Sequence, residues 1–152
     1  MDETGAATTT IEQIAEQCVA VRLRLLTRAV TGIYNRALRP HGLTVSQMNI
    51  LVAVSCMREA KPREVCRALH LEKSTLSRDA GRMHRQGWID RLPGENGRTS
   101  LLRPTAAGRK LLQRVIPAWE QAQHEAIELL GKERVATLRR AATSVRSAKT
   151  AV

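Results

Sequence analysis

The chain has 152 residues and a net charge of +11, with 25 Lys and Arg against 14 Asp and Glu. Its hydrophobic fraction is 43% although it holds no Phe, one Tyr and two Trp, which describes a folded chain of single-domain size with an aliphatic core. That length needs neither disulfide nor metal to fold, no apolar run approaches the roughly 18 residues of a spanning helix, and the acidic, polar start MDETGAATTT is neither a secretory nor a transit signal.

Residues 1–10 read as a flexible lead. Thr10-x-x-Gln13 has capping-box form, and Ile11, Ile14, Cys18, Val21, Leu25, Ala29, Ile33 and Ala37 follow in steps of three and four, predicting one long helix. Arg39-Pro40-His41-Gly42 stops it. Its apolar stripe is longer than a small domain needs for its own core, so a partner chain is its natural recipient. A second capping box, Thr44-Val45-Ser46-Gln47, opens a helix that is apolar nearly all round and therefore belongs in the core. Pro62 suits the first turn of a short helix to His70 that buries Val65, Cys66 and Leu69. After Leu71-Glu72, a helix over 73–86 buries Leu76, Ala80 and Met83 and turns Lys73, Ser74, Ser77, Arg78, Gly81, Arg82 and Arg85 outward. Two short strands, 88–92 and 99–103, flank the turn Pro93-Gly94-Glu95-Asn96-Gly97-Arg98. A long helix from Thr105 to Leu130 contains Pro117, which is expected to kink it or free a carbonyl, and Gly131 precedes a last helix.

The charge is not evenly spread. Residues 58–114 hold fourteen Lys and Arg against six acids, whereas the flanking segments are nearly neutral. A basic centre between helical arms points to a docking surface for a polyanion. Two short helices, the second with a small and basic outer face, followed by a hairpin make a winged helix-turn-helix. Major-groove recognition needs small polar residues for close approach and Arg for bidentate contact to guanine, and Ser74, Thr75, Ser77 and Arg78 supply that mixture. Arg63 and Arg67 on the preceding helix, Arg82 and Arg85 further along, and Arg91 and Arg103 on the strands are candidate phosphate contacts. Arg98 at the hairpin tip is either a solvated turn residue or a minor-groove arginine. Scarce aromatics argue against single strands and RNA, which are held largely by base stacking.

Three cysteines without a CxxC read as reduced thiols in a cytoplasm. Cys56 and Cys66 fall on core faces, and Cys18 is either a small buried hydrophobe or a redox-active thiol. The four His show no metal-ligand spacing, no phosphate-binding glycine loop is present, and no set of acids and His converges by spacing. The expectation is no catalytic residue, no cofactor and no metal; the protein is not an enzyme.

The chain resembles the MarR family of transcriptional regulators. Leu43-Thr44-x-x-Gln47, Ser74-Thr75-Leu76-Ser77-Arg78, Met83 with Gly87-Trp88-Ile89, and Leu102-Arg103-Pro104-Thr105-Ala106-Ala107-Gly108 carry the likeness, in shared order from about Ile11 to Arg146. The resemblance implies a mainly α fold with a small β-hairpin wing. A winged-helix lobe over 44–103 would sit beside a dimerisation region of N- and C-terminal helices, 11–40 and 105–149. It implies a cytoplasmic homodimer that represses from a palindromic operator and is released by a small phenol or aromatic carboxylate. The effector cleft is expected between the first, second and fifth helices. Arg98 then matches the family's minor-groove arginine, although the tip Glu95-Asn96-Gly97-Arg98 departs from the usual Asp-Arg-Arg. Some relatives sense oxidants through a cysteine near the start of the first helix, which gives Cys18 its alternative role. A nucleic-acid-binding protein without a switch, such as a nucleoid component, is the remaining reading.

Overall fold

A computed structural model describes the backbone of residues 3–94 and 100–150, and side chains within 10–94 and 100–145. Among the described residues, seven helices and one hairpin follow in the order α1 (Glu3–Gln17), α2 (Val19–Leu38), α3 (Val45–Met57), α4 (Pro62–Leu69), α5 (Lys73–Arg85), β1 (Ile89–Pro93), β2 (Ser100–Pro104), α6 (Ala106–Leu130) and α7 (Lys132–Thr150). A 3₁₀ turn over Arg39–His41 ends α2, and Gly42 at φ 72° supplies the left-handed exit.

The first helical arm differs from the reading of one helix opening at Thr10. The helix already begins at Glu3, and it breaks at Cys18, whose ψ of 110° is extended. Arg22 bridges the break: its guanidinium donates to the carbonyl of Glu16, through Nε at 3.1 Å and also through Nη2. No Pro or Gly marks the spot; one backbone torsion and one long side chain make it.

The remaining elements form for local reasons that can be named. Thr44 and Gln47 close the expected capping box on α3, and Asn35 of α2 accepts from the Val45 amide at 2.8 Å, tying α2 to the helix it precedes. Pro62 opens α4, where Glu64 accepts from Lys61 N at 2.8 Å. At the end of α5, Gly87 takes φ 71°, and the bonds Gly87 N to His84 O and Trp88 N to Met83 O, both 2.9 Å, make a Schellman closure. The strands pair antiparallel from Ile89 opposite Pro104 to Pro93 opposite Ser100, one residue further along the chain than expected. Ala60, just before α4, adds a third edge through two 2.9 Å bonds with Leu102.

One aliphatic core joins these parts. Ile50, Leu51 and Val54 of α3 meet Val65 of α4, Leu76 and Met83 of α5, Ile89 and Leu102 of the wing, and Leu111 and Val115 of α6. Trp88 packs at its edge. Cys56 is exposed rather than on a core face, because a helix apolar all round gives the sequence no phase to read. A second, smaller cluster of Ile33, Ala122 and Ala126 holds α2 against α6, with Tyr34 donating to Gln123 Oε1 beside it. Desolvation raises the Tyr34 pKa, opposed in part by Arg139.

The start of α6 is seated on the turn after α5 by backbone contact. Thr105 Oγ1 accepts from Gly108 N at 3.0 Å and donates to Gly87 O at 2.6 Å, while Thr105 N donates to Trp88 O at 3.0 Å. A Cβ on Gly108 would lie 2.1 Å from the Trp88 carbonyl oxygen, so this position admits no side chain. The helix then runs unbroken through Pro117.

Candidate nucleic-acid interface

Helix α5 has one locked face and one open face. Leu76, Ala80 and Met83 are buried as the spacing predicted, and Ser46 of α3 donates to Asp79 Oδ2 at 2.7 Å, fixing the rotation of α5 against α3. On the other side Ser74, Ser77, Arg78 and Arg82 are exposed, with Thr75 half-buried. A Cβ on Gly81 would meet only the flexible end of Arg85, Nη1 at 3.7 Å, in ordinary contact.

The unpaired amides expected at the start of this helix are present. The N-terminus of α5 has no side-chain cap, unlike α3 and α6, which Thr44 and Thr105 close. Its first amides are therefore left for an external acceptor, and a helix N-terminus with open amides favours phosphate. The signal was legible in Glu72 at the N-cap position, a residue that caps poorly compared with Ser, Thr, Asp or Asn.

The other expected contacts divide by position. Arg63 and Arg67 are exposed on α4. Arg91 reaches from β1 to Ser77 O at 3.3 Å, so the near strand of the wing is tied to the outer face of α5. Arg103 does not join them. Side chains alternate across a strand, and Leu102 shares the core-facing side, so Arg103 points to the far side of the hairpin. There it faces Glu59 at 3.6 Å and Asp90 at 3.7 Å. Arg98 and the tip residues Glu95, Asn96 and Gly97 lie outside the described residues. Cys18 is half-buried at the break between α1 and α2, at the N-cap position of α2, and not within a continuous stripe.

A cavity of about 390 Å³ opens between α3 and α6, lined by Met48, Asn49, Val52, Leu112, Gln113, Val115, Ile116 and Trp119. A cleft between the first, second and fifth helices is expected; this cavity is formed by α3 and α6, and neither α1 nor α2 contributes a lining residue. Its walls are apolar apart from two amides, and no charged side chain lines it.

The MarR family model matches residues 41–98, a segment that begins in the turn before α3. Over that segment the chain is similar to the MarR family. Among curated relatives, the multiple antibiotic resistance protein MarR of Escherichia coli K12 is 27% identical over 108 residues, 70% of this chain and 75% of that protein. Among solved structures, a mutant of E. coli MarR complexed with operator DNA superposes with a TM-score of 0.76 at 23% identity, covering 88% of this chain and 96% of that one. CouR of Rhodococcus jostii RHA1, solved bound to p-coumaroyl-CoA, gives 0.72 at 22% identity over 86% and 92% of the two chains. At that level of identity the two structures establish the winged-helix fold of this protein. Among the described residues no helix is long and apolar enough to cross a membrane, and no group of three His, Cys, Asp or Glu is placed to hold a metal.

Proposed function

We propose that this protein is a cytoplasmic, dimeric repressor that grips a palindromic operator through α5 and the wing. The observation that carries the reading is the open face of α5: Ser74, Ser77, Arg78 and Arg82 exposed beside an uncapped N-terminus, on a helix whose rotation is set by Ser46–Asp79. Close approach, guanine-directed Arg and phosphate-directed amides are then presented together. Arg63 and Arg67 follow as backbone contacts, Arg91 as a strut between wing and helix, and Arg98 as the minor-groove residue. Arg103 is assigned to bracing the wing. Replacing Arg78 by Ala is expected to cost about 1–3 kcal/mol at a specific operator and to relax sequence preference. Wild-type affinity in that variant would refute the docking.

Dimerisation is supported by apolar side chains that nothing among the described residues covers. Val19 is 69% and Leu25 55% exposed on α2, with Ile11 and Ile14 on α1, and Leu129, Leu138 and Val145 on α6 and α7 in the same condition. Leaving these in water forfeits about 1.5–3 kcal/mol for each large side chain that a partner would bury.

The effector is assigned to the α3–α6 cavity. Its lining lacks a cation to neutralise a carboxylate, which favours a neutral phenol over an aromatic acid. Pro117 has no N–H to give the Gln113 carbonyl, and Gln113 lines the cavity, so an acceptor for a phenolic hydroxyl is available there. Release of DNA follows if the ligand binds better to a half-site spacing other than the operator's. A phenol that binds and lowers operator affinity, with benzoate inert, is the expected result; the reverse ranking would overturn this assignment.

A thiol switch is the second reading, favoured by the position of Cys18 at a helix break where small torsional changes swing α1. Peroxide should then weaken operator binding in the parent protein and not in Cys18→Ser; equal loss in both excludes it.

A further inference from the structure

On the side of the wing away from α5, the end of α3, strand β2 and the first turn of α6 enclose an open cavity of about 760 Å³. Three arginines, Arg58, Arg103 and Arg109, are among the residues that line it. Two carboxylates are near, Glu59 in the lining and Asp90 across the strand pair, and both are engaged with Arg103. Arg109 gives one donor to Pro104 O at 2.8 Å, and Arg58 makes no hydrogen bond or ion pair among the described residues. Positive charge is therefore left over at two of the three arginines.

Two further costs are stored at the same place. Arg58 sits at φ 65° and ψ −51°, and the bond Glu59 N to Met57 O, 2.8 Å, closes a γ-turn around it. A positive-φ γ-turn on a residue with a side chain is rare and strained. The strain cannot relax forward, because the paired bonds between Ala60 and Leu102 hold the next residue but one. Ser55, one turn back on α3, has a buried hydroxyl oxygen without a partner. An unsatisfied buried hydroxyl is itself a cost that natural structures seldom leave standing without a use.

We propose that this cavity binds a small phosphate ester. Guanidinium groups match phosphate oxygens in a planar, two-pronged way that an ammonium does not. Arg58 and Arg109 clasp the phosphate, Ser55 donates its hydroxyl to a remaining oxygen, and Met57 with Pro104 offers apolar surface to the ester's organic part. Such a ligand touches α3, the wing and α6 at once, so it binds best when the three are seated together and thereby stiffens the wing. The cavity lies off the α5 face, and the proposal holds whether or not the DNA reading does.

Phenyl phosphate titrated into the full chain, in chloride buffer without DNA, tests it by calorimetry. Saturable one-site binding is expected. Arg109→Ala and Arg58→Gly should each weaken it by about tenfold or more, the loss of a charge-assisted contact. Arg58→Gly should also melt no lower than the parent protein, since glycine accepts positive φ without strain, so its lost binding cannot be blamed on unfolding. Arg78→Ala should leave the binding unchanged. No saturable binding to the parent, or parent-like binding in Arg58→Gly and Arg109→Ala, would overturn the proposal. So would loss of binding in Arg78→Ala, which would move the anion to the α5 face. Displacement of phenyl phosphate by duplex DNA, with a lower salt slope in Arg58→Gly, would hand the arginines to the DNA backbone and equally overturn it.

Discussion

Replacing Gly108 with Ala tests whether the wing is positioned by the seating of α6. In an unobstructed helix this exchange stabilises, by roughly 0.5–1 kcal/mol, because glycine loses more chain entropy on folding. Here the new Cβ would stand 2.1 Å from Trp88 O and 3.0 Å from its carbonyl carbon, with Leu51 Cδ1 at 3.2 Å. The obstacle is backbone, which cannot rotate away as a side chain can. Relief requires α6 to lift from the turn after α5, and overpacking of this kind costs about 1–3 kcal/mol. Lifting also stretches the Thr105 N to Trp88 O and Thr105 Oγ1 to Gly87 O bonds, each worth about 1 kcal/mol. The expected sum is a destabilisation of about 2–4 kcal/mol once the helix-propensity gain is subtracted. Urea unfolding followed by circular dichroism at 222 nm measures it, and a second readout is operator affinity under conditions where the variant is still folded. A midpoint equal to or above that of the parent would show that α6 does not rest on this carbonyl.

Three further outcomes follow from other positions. Gly81→Ala meets only an ordinary contact with the end of Arg85 on the outer face of α5, so it should gain roughly 0.5–1 kcal/mol of stability yet bind operator more weakly, the opposite coupling to Gly108; improved binding would remove Gly81 from the interface. Leu25→Glu should leave the winged-helix core folded and shift sedimentation from dimer to monomer, whereas an unchanged dimer would put the interface elsewhere. Burial raises the Tyr34 pKa in the folded protein, so its contribution to stability is complete below the ordinary value of 10.0 and is lost as pH rises through the folded-state value. The fall in melting temperature above that pH should be smaller in Tyr34→Phe, and an identical fall in both proteins would assign the alkaline loss to other groups.

Much of the winged-helix half was legible in the chain because each feature had a local cause. Thr44-x-x-Gln47 caps its own helix, the i, i+4, i+7 spacing of Leu76, Ala80 and Met83 sets the rotation of α5, and Gly87 closes it. The Thr105-x-x-Gly108 pair, recognised by resemblance, turns out to have a steric reason in the Trp88 carbonyl. What escaped reading depended on partners far away or on single torsions. Ala60 pairs with Leu102 without any strand pattern around it, and Arg58 adopts a γ-turn that no residue preference announces. The side on which Arg103 emerges turns on strand parity, which an assignment from residue types alone leaves open. The break at Cys18 has no helix-breaking residue, and Cys56 was put in the core because α3 is apolar on every side. The α3–α6 cavity has no wall from α2 for a related reason: the apolar stripe of α2 meets α6 only near Ile33, and its earlier residues face away from the chain's own core.

The central claim is that an exposed α5 face and its wing read duplex DNA as a two-fold pair. Selection of bound duplexes from a random pool tests it most directly, at a stated salt concentration and with Arg78→Ala run in parallel. The account predicts a palindrome whose half-sites are centred about one helical turn apart, roughly 34 Å, and loss of that enrichment in the variant. Binding that recovers no preferred sequence and follows salt alone would contradict it.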